Sequence, residues 1–291
     1  NDRTRAAAAL TRAFAADPSD ARVLFELDQL DKEMGADPAQ RLARLDAHRA
    51  RVLERDDLCV EYLNLLNLAG RAEEALALLT TRVFQPWEGG EGKTTAQYLR
   101  SLFLLAERDE ARGDFAAALA RLEQAGVLPD NLGEGRLGGA SDNERHYRMG
   151  RLLQRMGRAA EAEAHLQAAT RGQGEPASAM YYNDQPPECF YFQGLSWRLR
   201  GDEARAQAVF AKLTAYADAH IDDKIRMDYF AVSLPDFLVF DIDLTERNRR
   251  HCLFMRALGQ AGSGRADAAR DAVRDLLTHV PDHPVRHLVS G

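Results

Sequence analysis

The stretch from Ser141 to Thr170 reads SDNERHYRMGRLLQRMGRAAEAEAHLQAAT, and the spacing of its small residues decides the fold. Gly157 stands between two helical patterns, where a residue in the left-handed conformation ends the first helix. Gly150 and Ala162 stand seven residues before it and five after it, at the position where two paired helices cross. Only a small side chain lets the two backbones approach closely there, and Leu166 fills the groove beside the crossing. The stretch therefore predicts two antiparallel helices joined by a tight glycine turn.

The same offsets recur elsewhere in the chain. Small or apolar residues occupy nearly all of these offsets around Gly113, Gly201 and Gly264, some of them around Gly70, and almost none around Gly35. Recurrence of this pattern resembles the tetratricopeptide repeat (TPR), in which helix pairs stack into a superhelix. The abundance of alanine, leucine, arginine and glutamate also favours helices. The alternative is an ordinary helical bundle, whose helix pairs have glycine turns without forming a superhelix.

The predicted fold is all-α: a TPR-like superhelix of antiparallel helix pairs with long inter-repeat loops, forming a single unit over residues 1–291. Repeats are assigned to 19–56, 57–86, 97–130, 142–174, 187–219 and 247–281. Within them the pattern predicts, among others, helices from Pro38 to about Arg55, Ala72 to Thr81, Gln97 to Arg112 and Phe115 to Gln124. Residues 1–18 resemble half a repeat, because small and apolar residues precede Pro18 at the offsets at which they precede Pro281. This indicates a fragment of a longer chain. The alternative is a natural solitary helix that caps the array.

Composition excludes some classes of function. The formal net charge of −7 argues against a nucleic-acid partner, which favours a basic surface. Cys59, Cys189 and Cys252 are far apart and show no Cys-x-x-Cys spacing, so they indicate free thiols and a cytoplasmic location. No apolar run is long enough for a membrane span and no signal peptide opens the chain, so no membrane partner is predicted.

Long inserts between the repeats are the most informative functional feature. Successive turn glycines from Gly35 to Gly201 are 35, 43, 44 and 44 residues apart, and Gly264 follows after 63, against about 34 for a plain repeat. The excess always follows a second helix, which places the inserts along one edge. They mix aromatic rings with carboxylates and amides, a chemistry suited to a glycan or polar peptide. The candidate binding residues there are Trp87, Glu88, Glu91, Asn131, Glu134, Arg136, Tyr181, Tyr182 and Asn183. The alternative is that the rings pack back onto the repeats.

The first helix of each TPR unit lines the concave groove, which adds Tyr147, Arg151 and Tyr191 to the candidate binding residues. Along this groove the charge changes from acidic near Glu107 to basic near Arg151. Solvated helix faces are the alternative interpretation of each of these residues.

The insert at 220–246 is different, because it is strongly apolar. Its stretch IRMDYFAVSLPDFLVFDIDL, from Ile225 to Leu244, is broken by Pro235 and too short to span a membrane. It predicts either a plug between the last two units or a docking surface for another domain.

A more specific resemblance comes from the strings PWEGGEG, NLGEGR and DYFAVSLPDFLVFDIDL, which occur in this order between the repeats. Together they resemble the C-terminal TPR region of large bacterial proteins, over about Leu58 to His287. In that family an N-terminal β-rich region similar to carbohydrate-active enzymes precedes the repeats. The resemblance implies that any catalytic domain lies upstream of this chain.

Within the chain itself we predict no catalytic residue, no metal ligand and no cofactor. His279, His283 and His287 recur every four residues, but Pro281 and Pro284 interrupt any helix there, which favours solvated histidines. The predicted function is a non-enzymatic TPR scaffold or protein-interaction segment. The alternative is a helical arm that contributes loops to the substrate site of an upstream carbohydrate-active domain. Expected partners are a protein or peptide, an upstream domain of the same chain, or a glycan.

Overall fold

The computed structural model describes residues 2–87, 89–136, 141–178, 184–226 and 243–289, and within these ranges every regular element is helical. None of the helices in these ranges is both long enough and apolar enough to cross a membrane. The helices are α1 (Arg3–Ala16), α2 (Ala21–Glu33), α3 (Pro38–Ala47), α4 (Arg49–Val52), α5 (Asp56–Leu68), α6 (Ala72–Thr81), α7 (Lys93–Ala111), α8 (Phe115–Gln124), α9 (Asn143–Arg155), α10 (Ala159–Ala169), α11 (Pro187–Leu199), α12 (Glu203–His220), α13 (Leu244–Gly262), α14 (Ala266–His279) and α15 (Val285–Val289). A 3-10 turn, Asp130–Leu132, follows α8.

Helices that follow one another in the chain pack as pairs, as in α7 with α8, α9 with α10 and α13 with α14. Among the first helices of the pairs, α5 contacts α7, α9 contacts α11, and α11 contacts α13. Side-chain ion pairs, Arg148 with Glu107 and Arg151 with Glu110, join α7 to α9. We call the surface formed by α5, α7, α9, α11 and α13 the inner face. The all-α class and the sequential pairing are thus confirmed. The bounds predicted for α6 and α8 agree with the observed ones residue for residue.

The small residues lie where the helices cross. A Cβ atom on Gly150 would lie only 2.6 Å from Leu166 Cγ and 3.2 Å from the Ala162 carbonyl oxygen, so α9 and α10 touch through this glycine. Gly157 ends the first of these helices with φ +75°, a conformation that costs glycine little. At Gly194 the same approach recurs, with an added Cβ 2.4 Å from the Phe210 ring.

One predicted helix was wrong. A single helix was expected from Pro38 to Arg55, but the structure divides it at His48 into α3 and α4. The His48 ring packs edge-on against Phe14, with ring centroids 4.8 Å apart. After the break α4 packs against α2, and Val52 is fully buried. Burial of Val52 and the ring contact of His48 together stabilise a bend that the sequence pattern did not indicate.

The C-terminal segment, residues 281–289, turns back onto the inner face after α14. Val285 is fully buried and belongs to the same apolar cluster as α11, α12 and α13. Asp282 is 4% exposed, and its carboxylate accepts a hydrogen bond of 2.9 Å from Arg41 Nη1. This contact joins residues 241 positions apart, so the last segment of the chain meets the second helix pair.

The histidines near this segment were expected to be solvated, and that expectation was wrong. The His283 ring is partly buried and packs against Phe254, with centroids 4.6 Å apart. His279 Nδ1 lies 2.9 Å from the Glu246 carboxylate. Return of the C-terminal segment to the inner face explains the partial burial of His283, and His279 is held by a residue of α13.

Candidate functional site: a cavity on the inner face

A cavity of about 390 Å³ lies on the inner face, within the size range of small-molecule sites. We call it the inner cavity. Helices α7, α9, α11 and α13 form its walls, and the C-terminal segment closes one side through His283, Pro284, His287 and Leu288. Its walls combine aromatic rings with charged groups, chiefly Arg100, Phe103, Arg148, Glu188, Phe192 and Phe254.

Arg148 is a structural part of this wall. Its guanidinium carbon lies 5.1 Å from the centre of the Phe103 ring and 5.9 Å from that of Phe192. Its side chain also forms ion pairs of 2.5 Å with Glu107 and 2.6 Å with Glu144. Burial opposes the charge, but these two carboxylates outweigh it and raise the pKa of Arg148 above its ordinary value. Arg148 is therefore fully engaged in joining α7, α9 and α11.

Arg100 faces the same cavity with fewer partners. Its Nη1 donates a hydrogen bond of 3.0 Å to Asn64 Oδ1. No carboxylate of the described residues comes within ion-pair distance of it. Burial lowers the pKa of Arg100, and the more distant Glu144 and Glu188 oppose this change. The guanidinium nevertheless stays protonated, because arginine does not lose its proton in proteins.

Glu188 is the second ionisable group of the cavity without a close partner. It lies in the first turn of α11, directly after Pro187 at the start of the helix. Apart from a hydrogen bond with its own backbone N–H, its side chain forms no hydrogen bond or ion pair with the described residues. Burial raises the pKa of Glu188, and Glu144 adds to the rise while Arg100 works against it. The protonated carboxyl is therefore more populated here than in solvent.

Two of the predicted inserts meet at one end of the inner cavity. We call residues 83–87, 89–92 and 129–136 the rim. The backbone N–H of Phe84 donates to the Asn131 carbonyl oxygen at 2.8 Å. The Asn131 amide donates to the carbonyl oxygens of Leu79 and Arg82, at 2.8 and 2.7 Å. The two inserts are thus one connected surface, as expected of loops that leave from the same edge.

Glu134 also holds the rim together. Its carboxylate accepts hydrogen bonds from the backbone N–H groups of Gly92, at 2.7 Å, and Thr95, at 2.9 Å. These groups open α7, where a carboxylate stabilises the helix start. Asn131 and Glu134 therefore bind backbone at the end of α6 and the beginning of α7.

The other predicted residues of the inserts have different surroundings. The Trp87 ring is partly buried and covers Gly90, where an added Cβ would lie 2.2 Å from it, so this ring packs back onto the chain. Glu91 is exposed. Arg136 lines the cavity and pairs with Asp142. Four of the predicted binding residues lie outside the described residues: Glu88, Tyr181, Tyr182 and Asn183. Most of the apolar insert at 220–246 also lies outside them.

The groove residues pair with one another. Arg151 donates to Glu110 at 2.7 Å, so the acidic and basic parts of the inner face neutralise each other between neighbouring units. Tyr147 packs against Phe192, with ring centroids 5.4 Å apart. Tyr191 is 9% exposed and points into the apolar cluster around Phe210.

Sequence reasoning missed Arg100 and Glu188. Arg100 was assigned to the groove helix but not distinguished from the other arginines, because its lack of a carboxylate partner depends on neighbouring helices. Glu188 follows Pro186 and Pro187, and proline is typical of the first position of a helix. This pattern was the one sequence feature that could have indicated Glu188.

No model of a known protein family matches the chain. Among the described residues no group of three or more His, Cys, Asp or Glu side chains is placed to hold a metal ion. The three cysteines are free and buried, and burial raises the pKa of the Cys59 and Cys189 thiols to about 12. The assignment to the TPR class therefore remains a prediction from the residue pattern.

Proposed function

We propose that this chain is a non-enzymatic, TPR-like binding segment that takes its ligand in the inner cavity. The superhelical arrangement is supported by the contacts between successive first helices and by the small residues at the crossings. The single observation that carries the function is the inner cavity itself, in which neither Arg100 nor Glu188 has an ion-pair partner among the described residues.

Arg100 and Glu188 are partly buried in the cavity wall, where each hydrogen bond that a polar group forms lowers the free energy. Arg148 in the same wall forms such bonds with two carboxylates. Arg100 uses one donor on Asn64, and among the described residues Glu188 has only its own backbone N–H as a partner. A ligand in the cavity would supply what these two groups lack. Proteins, peptides and glycans all carry suitable groups.

Filling the cavity tests this function. Ala96 is an exposed residue of α7 that lines the cavity, so Ala96→Phe occupies the space without overpacking the core. Ala120 is exposed on α8 and does not line the cavity, which makes Ala120→Phe the matched control. A library of small fragments is screened by saturation-transfer difference NMR. We expect hits that Ala96→Phe abolishes and Ala120→Phe keeps. Hits that survive both substitutions, or no hits on the parent protein, contradict the proposal.

A second candidate function, a helical arm beside an upstream carbohydrate-active domain, is favoured by the connected rim. Asn131 and Glu134 fix the two inserts into one surface at one end of the cavity. Amide exchange in the rim is compared between this chain and a longer polypeptide that carries the upstream domain. Protection of the rim in the longer polypeptide supports this candidate, and equal exchange counts against it.

A further inference from the structure

We infer that the ligand of the inner cavity is a small free molecule carrying a carboxylate, which Arg100 binds. This inference rests on the proposed binding function of the cavity. It adds the chemical class of the ligand and the residue that recognises it.

The geometry around Arg100 leaves one edge of its guanidinium for a ligand. Asn64 accepts from Nη1, at 3.0 Å, and fixes the plane of the group. Nε and Nη2 form no hydrogen bond with a described residue. These two donors point in parallel, which matches the two oxygens of a carboxylate.

The neighbouring arginines show which kind of partner Arg100 lacks. Arg145 is bound by Asp142 at 3.0 Å, Arg148 by Glu107 at 2.5 Å, and Arg151 by Glu110 at 2.7 Å. On the inner face each of these guanidinium groups has a carboxylate of the chain. Arg100 reaches only a neutral amide, so a carboxylate from outside would complete the same pairing.

The charge near Arg100 favours a ligand with one negative charge. The described wall of the cavity has four arginines, Arg100 among them, and four carboxyl groups, so it offers no large excess of positive charge for a doubly charged phosphate. Burial raises the pKa of Glu188, and in its protonated form this carboxyl donates a hydrogen bond to a ligand oxygen. A guanidinium and a protonated carboxyl can then share one carboxylate.

The other residues that line the cavity indicate the chemistry of the rest of the ligand. Phe103, Phe192 and Phe254 come from three different helices and surround the space with rings. His283 and His287 of the C-terminal segment line the cavity as well. A cavity of about 390 Å³ closed on this side suits a small acid with an apolar or aromatic body.

The experiment uses phenylacetate as the probe and phenylacetamide as its uncharged match, with affinities from saturation-transfer difference NMR titrations. Arg100→Gln removes the charge, Arg100→Lys keeps it without the paired donors, and Arg108→Gln is the control on the same helix. Arg108 pairs with Glu73 and does not line the cavity. We expect phenylacetate to bind about tenfold more tightly than phenylacetamide, and Arg100→Gln to lose this preference. Arg100→Lys should retain part of it and Arg108→Gln all of it.

Equal binding of acid and amide, or an unchanged preference in Arg100→Gln, overturns the inference. If Arg100→Gln loses its helical circular dichroism and therefore its fold, the pH dependence of phenylacetate binding in Glu188→Gln tests the inference instead. The parent protein should bind phenylacetate more weakly as pH rises and Glu188 ionises, and Glu188→Gln should remove that dependence. A tenfold loss of affinity in Glu188→Gln contradicts the inference.

A second pair of probes separates two sources of the carboxylate. N-acetyl-Gly-Gly-Phe with a free carboxylate is compared with its C-terminal amide. Tighter binding of the peptide acid than of phenylacetate assigns the carboxylate to a chain terminus and overturns the free-molecule assignment. If fragments without a carboxylate bind the parent protein but not Ala96→Phe, the proposed binding function holds and only the carboxylate inference fails.

Discussion

At Gly150 the absence of one methyl group determines how closely α9 and α10 pack. An added Cβ would overlap Leu166 and approach the Ala162 carbonyl oxygen. The sequence predicted this contact because its cause is local, a small residue at a fixed distance from a turn glycine. Nothing comparable marks Arg100. Arg100 and Arg148 are the same residue type on neighbouring first helices, but Arg148 pairs with Glu107 and Glu144 whereas Arg100 reaches the neutral amide of Asn64.

Substitution Gly150→Leu tests the crossing. The larger side chain cannot fit between Leu166 and the α10 backbone, so we expect the free energy of unfolding to fall by about 1–3 kcal/mol. Urea denaturation followed by circular dichroism measures this change. Gly174→Ala is the control, because no atom lies within 4 Å of its added Cβ. An equal midpoint for Gly150→Leu and the control would mean that the helices do not cross at this residue.

At the scale of the elements, the rim has one feature that the sequence predicted and one that it did not. Inserts that follow second helices were expected along one edge, and the first two do meet. Asn131 and Glu134 were expected to face a ligand, yet they bind the end of α6 and the start of α7. Their backbone partners lie 52 and 42 residues away in the chain. A helix cap supplied over that distance leaves no local pattern, so the sequence could not distinguish a cap from a binding group.

Glu134→Gln tests the cap at the start of α7. Glutamine keeps the size but removes the negative charge that two backbone N–H groups share, so we expect α7 to lose about 0.5–2 kcal/mol of local stability. Faster amide exchange at residues 92–96 reports this loss. Glu91→Gln, an exposed change in the same insert, should leave exchange unaltered. If both variants behave alike, Glu134 does not cap α7.

For the whole molecule, the return of the C-terminal segment is the feature that shapes the inner cavity. Asp282 lies against Arg41 and 3.9 Å from Lys32. Burial opposes ionisation of Asp282, but these two cations outweigh it and keep its pKa below the ordinary value. The repeat pattern predicts helix pairs that stack in order, and each pair is specified by nearby residues. The partner of Asp282 is 241 residues away, so no periodicity in the sequence indicates it.

Amide hydrogen exchange in Asp282→Asn is the most direct test of this arrangement, on which both proposals depend. The substitution removes the carboxylate from Arg41, a hydrogen bond to a charged group worth about 1.5–3 kcal/mol. We expect exchange to become at least about tenfold faster in residues 285–288 and to rise also in α3, since the two segments stabilise each other. Asp271→Asn, whose carboxylate pairs with Arg274 at the surface of α14, should change neither segment. Unchanged exchange in Asp282→Asn would contradict closure of the inner cavity by the C-terminal segment.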